Sequence, residues 1–140
     1  MSDKVASNLV AFGFWALMGM IVWPVIMTIG PRIEGSIFPV VTRTHISRIV
    51  EADGGVTIWG QSDKARDCVY MGVEWYYTSE KNSVLVPIEF KEGVKVRSPG
   101  WLNFGPWGLP LTREQLLTSS FAVVKHRCHV LWLTETPFWP

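Results

Sequence analysis

Leu9 to Ile29 reads LVAFGFWALMGMIVWPVIMTI, twenty-one residues without a charge. At about 1.5 Å per residue, a helix of this length spans roughly 30 Å, the hydrocarbon thickness of a bilayer. Its apolar side chains fall on every side, so it has no polar face to turn to water. Leu9, Phe12, Trp15, Ile21, Trp23 and Ile29 are therefore expected to meet lipid as a membrane anchor. Ser7 and Asn8 can cap the start of this helix, Pro24 can kink it, and Gly30-Pro31 can end it. An N-terminal hydrophobic unit over residues 1–31 is the expectation.

On its N-terminal side the segment has only MSDK and a short polar stretch, with one Lys. On its other side the chain continues GPRIEGS, with no A-x-A-like site, which favours an anchor over a cleaved signal peptide. A helix packed inside a protein assembly is a further reading. Two arguments on topology disagree. Arg32, Arg43 and Arg48 against Lys4 favour a cytoplasmic C-terminal part. A pair of Cys residues in a β-domain favours an oxidising compartment. The second argument is given more weight, so the expected topology is single-pass with an extracytoplasmic C-terminal domain.

Beyond Ile33 the periodicity turns from helical to alternating. Val40 to Val50 (VVTRTHISRIV) places Val40, Thr42, Thr44, Ile46 and Arg48 on one face. Asp53-Gly54-Gly55 is a tight-turn signal leading into Val56 to Trp59, with Gln61 to Ala65 as a polar turn. Cys68 to Thr78 (CVYMGVEWYYT) places Val69, Met71, Val73, Trp75 and Tyr77 on one face. Val84 to Phe90 is a strand marked by Pro87 as an edge or bulge, and Val94 to Arg97 is another short candidate. Ser98 to Leu111 (SPGWLNFGPWGLPL) is too rich in Gly and Pro for a helix or a central strand. Thr112, Glu114 and Gln115 can open one helical turn before the last strands. Short strands about ten residues apart predict an immunoglobulin- or fibronectin-like β-sandwich over residues 32–140. The fold class is thus mostly β, behind a transmembrane-type helix.

The bulk numbers exclude more than they assign. Net charge is +1 and no basic run occurs, so nucleic acid is not an expected partner. There is no P-loop, G-x-G-x-x-G or G-x-S-x-G, so no cofactor and no enzymatic activity are expected. His126-Arg127-Cys128-His129, with Cys68 and His45, invites a metal reading, but the usual zinc spacings are missing and no metal is expected. Cys68 and Cys128 are expected to form a disulfide outside the cytoplasm; two reduced thiols are the alternative. The eight Trp residues stand out. Trp101, Phe104 and Trp107, with Trp139 near the C-terminus, can present aromatic anchors to a partner or to headgroups. They can equally close an open end of the sandwich core.

Lys64 to Tyr77 (KARDCVYMGVEWYY), Pro87 to Phe90 (PIEF), Phe104 to Trp107 (FGPW) and His126 to Trp132 (HRCHVLW) carry a resemblance. With them the chain resembles a group of small proteins of alphaproteobacterial phages that have one N-terminal transmembrane helix. The resemblance implies a context and assigns no activity to any residue. The expected function is a non-enzymatic, membrane-anchored β-sandwich that binds a partner or scaffolds a complex, with lipid or other protein subunits as partners. The alternatives are a structural part of a phage particle, in which the helix packs within the virion or enters the host membrane, and a lysis-related membrane protein. A homo-oligomer is compatible with each.

Overall fold

The structure is a computed structural model; it describes residues 2–91 and 98–140, with side chains from residue 7 onward. The strand expected at Val94 to Arg97 lies outside the described residues. Helix α1 spans Ser2–Ile37. It starts before Ser7 and Asn8, so those residues do not cap it, and it passes through Gly30-Pro31 without ending. A proline removes one helical hydrogen bond, and packing can offset that loss. Here the last turns are held from outside. The carbonyl of Glu135 occupies the place a Cβ would take at Gly35, so only glycine allows this approach.

Eight strands follow among the described residues. They are β1 (Val41–Ala52), β2 (Gly55–Lys64), β3 (Val69–Thr78), β4 (Ser83–Val86), β5 (Glu89–Phe90), β6 (Gly100–Leu109), β7 (Ser120–Arg127) and β8 (Thr134–Trp139). They form two antiparallel sheets, ordered β1-β2-β6-β5 and β4-β3-β7-β8. That is the strand order of an immunoglobulin-like sandwich with an added edge strand. Trp75, fully buried on β3, occupies the strand on which such sandwiches bury a Trp. Its Nε1 donates to Ser120 Oγ at 3.0 Å, and that hydroxyl donates to the Leu116 carbonyl at 2.7 Å. Ile58, Phe104, Leu109, Val124 and Phe138 complete the core from both sheets.

Bulges explain where simple alternation fails. Register shifts at Thr42/His45 and Ile46/Arg48 turn β1, so Ile46 and Ile49 both pack on the core, while Val40, just before the strand, and Val41 are both buried. A shift at Tyr70/Gly72 sends Val69 and Met71 outward, while Val73, Trp75 and Tyr77 stay inside. The polar Gln61 to Ala65 segment is no turn, for β2 runs on to Lys64. Pro87 ends β4, and the chain crosses there to the other sheet, so the single expected strand is two. The capping box reads as expected: Thr112 Oγ1 accepts from Gln115 N at 3.2 Å, and Gln115 Oε1 accepts from Thr112 N at 2.9 Å, opening α2 (Arg113–Thr118).

The Gly- and Pro-rich segment overturns the expectation that it could not be a central strand. It is β6, paired with β2 on one side and β5 on the other. Between Ile58 and Gly60 the β2 strand advances two residues while β6 advances three, from Trp107 to Phe104. Gly105 and Pro106 fill this bulge, joined by a cis peptide, with Gly105 at φ +95°. A residue in a bulge needs no ladder donor, so proline is tolerated there.

Candidate functional site

Two features stand apart from an ordinary sandwich: the bare apolar helix and the way it is fastened. Ser7–Ile37 is long and apolar enough to cross a membrane, and none of its apolar window is buried. Leu9, Phe12, Trp15, Ile21, Trp23 and Ile29 are all exposed. Water would not leave such a surface uncovered in a stable monomer. The strongly apolar run ends at Ile29 and the first charge is Arg32; the turns beyond Ile29 form a stem seated on β8.

The stem is fastened at Glu34, the only acid between Asp3 and Glu51. Its Oε1 accepts from both terminal nitrogens of Arg66, at 3.0 and 3.1 Å. Its Oε2 accepts from Trp132 Nε1 at 2.8 Å and Thr134 Oγ1 at 2.9 Å, and lies 2.9 Å from His129 Nε2. Burial alone would raise the Glu34 carboxyl, but the donors from His129, Trp132, Thr134 and Arg66 outweigh it and lower its pKa from 4.5 to about 2. Arg66 also donates to the Phe38 carbonyl at 2.9 Å. A second link, Arg32 to Glu135 at 3.4 Å, has an Arg side chain 80% exposed and contributes little.

Cys68 and Cys128 form a disulfide, as expected. It joins the residue before β3 to the residue after β7, two neighbouring strands, so it lies within one sheet and not between sheets. Both its flanks reach the helix, since Arg66 lies two residues before Cys68 and His129 directly follows Cys128. The Arg66-Asp67-Cys68 and His126-to-Trp132 segments therefore meet, and they meet at Glu34. Sequence reading missed this hub. The available signal was a single acid just past a long apolar run, the only one between Asp3 and Glu51.

His126 is 3% exposed and packs edge-on against Tyr70. Burial, reinforced by nearby Lys64, lowers its pKa to about 4, so the ring is neutral at pH 7. With both thiols in the disulfide, the imagined Cys and His ligands do not form a metal centre. Among the described residues no cluster of His, Cys, Asp and Glu has a metal-binding arrangement.

The four aromatic anchors separate. Phe104 is buried, with its ring 4.8 Å from Trp107 and 5.0 Å from Phe138. Trp107 and Trp139 pack on the core, and Trp139 Nε1 donates to the Leu116 carbonyl at 3.2 Å. These three close the sandwich. Trp101 alone is open, at 62% exposure. Trp101→Ser is expected to change stability by no more than about 0.5 kcal/mol, measured by denaturant unfolding. A loss comparable with that of a core aromatic would place Trp101 in the core as well.

No known protein family, curated protein or solved structure matches the chain.

Proposed function

We propose that the chain is a single-pass, membrane-anchored immunoglobulin-like domain without enzymatic activity, which binds a partner or scaffolds a complex close to the bilayer. The observation that carries this reading is the uncovered apolar helix, continuous with a stem locked onto the domain through Glu34. The partly buried Glu34 carboxylate takes donors from two parts of the domain, Arg66 and the His129-to-Thr134 segment, which supports a helix that stays with the domain. The disulfide supports an extracytoplasmic domain.

The test is fractionation of cells making the full chain. Retention in membranes through an alkaline carbonate wash is expected, and release by the wash overturns the anchor. Recovery chiefly in detergent-washed phage particles, with the membranes empty, instead makes the helix part of an assembly. Orientation is read from Lys81→Cys, an exposed turn position, with a membrane-impermeant thiol reagent. Labelling in intact cells is expected; labelling only after the membrane is opened reverses the topology.

A further inference from the structure

We propose that the connection between β7 and β8, residues 128–133, is a second membrane contact that inserts Val130 and Leu131 into the bilayer interface beside the helix. The inference rests on the anchor reading above and deepens it.

The loop reads Cys128-His129-Val130-Leu131-Trp132-Leu133. Exposed loop tips are normally polar, yet Val130 is 97% exposed and Leu131 is exposed beside it. The contacts of the flanking residues fix which way the loop points. Thr134 and His129 reach Glu34, whereas the Trp132 ring lies against the helix at Gly30. Gly30 directly follows Ile29 and lies two residues before Arg32, the first charge past the apolar run. The Trp132 ring therefore reaches from Glu34 along the stem to Gly30, on the side of the apolar run, and Val130 and Leu131 lie in the same short loop between His129 and Trp132. The Leu131 amide bonds His129 Nδ1 at 3.2 Å, which folds the tip over.

Behind the tip stand the groups expected at headgroup depth. The Trp132 indole has its apolar ring on the helix and its N–H on Glu34, the split environment that Trp takes at membrane interfaces. Ile33, one turn beyond Ile29, is exposed at the same level. The occupant of this surface is lipid because the surface continues the anchor: a helix that crosses the bilayer up to Ile29 brings the loop to the interface with no further motion. The opposite end of the domain is far away. β3 runs from Val69, opposite Arg127, through ten residues to Thr78, roughly 30 Å.

The test uses the full chain in phosphatidylcholine vesicles, with a nitroxide label at one position in each preparation: Val130→Cys, Ile21→Cys or Lys81→Cys. Intact mass verifies that the native disulfide is kept, and Leu131→Cys repeats the loop measurement at a second position. Collision with dissolved oxygen is compared with collision with a water-soluble nickel chelate. At positions 130 and 131 the oxygen-to-nickel ratio is expected to be severalfold higher than at 81, approaching that at 21. A ratio at 130 and 131 equal to that at 81, with 21 immersed, overturns the loop contact and leaves the anchor standing. Water-like ratios at 21 as well overturn the anchor, and the loop contact falls with it.

Discussion

Glu34→Gln is expected to lower the stability of the full chain in detergent micelles by about 2–3 kcal/mol, because the carboxylate is partly buried and takes several donors at once. The magnitude follows from one set of donors, seen in two ways. A carboxyl lowered from 4.5 to about 2 is stabilised by about 3 kcal/mol in its ionised form. The amide is also wrong in either orientation, because both oxygens of Glu34 face donors and an NH₂ group accepts from neither. Tryptic cleavage after Arg32 should accelerate, since the stem then leaves the domain more often. The pH dependence separates two groups. Glu34 contributes in full above about pH 4.5, and its contribution is lost as pH falls toward about 2. Buried His126 acts earlier: between about pH 6.5 and 4 the unfolded chain takes up a proton that the folded ring refuses. Thermal melts should show both losses in the parent chain. In the Gln variant the lower loss shrinks to what Glu74 retains, its pKa being lowered by Lys125 and Tyr76. An unchanged lower loss would refute the assignment.

Replacing Cys68 and Cys128 together by Ser is expected to cost about 4 kcal/mol, equivalent to a fall in Tm of roughly 15–30 °C. The bond closes a loop of 60 residues, so most of the effect is entropy returned to the unfolded chain. A second effect is specific to this fold. The bridge holds Arg66 and His129 on either side of one carboxylate, so its loss should also loosen the stem. A double-mutant cycle with Glu34→Gln measures that link. A combined loss smaller than the sum of the two separate losses is expected. Strict additivity would show that the bridge and the carboxylate act independently.

The parts of the fold legible in the sequence are those dictated locally. Twenty-one uncharged residues can do little but form a buried or lipid-facing helix, and Asp53-Gly54 gives the two-residue turn in which Ala52 pairs with Gly55. Thr112 and Gln115 reveal their helix start by spacing alone. The errors lie where tertiary contacts override local rules. Gly30-Pro31 is a stop signal, but Gly35 packed on β8 and Glu34 bonded to the domain carry the helix past it. Pro106 argues against a central strand until a bulge removes the need for its missing N–H. The hub on Glu34 unites residues 32 to 100 positions apart in sequence, a separation that no local pattern reports.

Only residues 38–40 separate α1 from β1, and none of them is slack. The Phe38 carbonyl accepts from Arg66, the Val40 amide donates to Thr136 Oγ1 at 3.2 Å, and the Val40 carbonyl accepts from Ala65 at 2.8 Å. A flexible tether would let the domain tumble over the membrane and would decouple it from the helix. Here a turn of the helix about its own axis turns the domain through the same angle. Two such helices packed side by side would set their domains at one fixed mutual azimuth, and a torque applied to the domain would pass directly into the apolar helix.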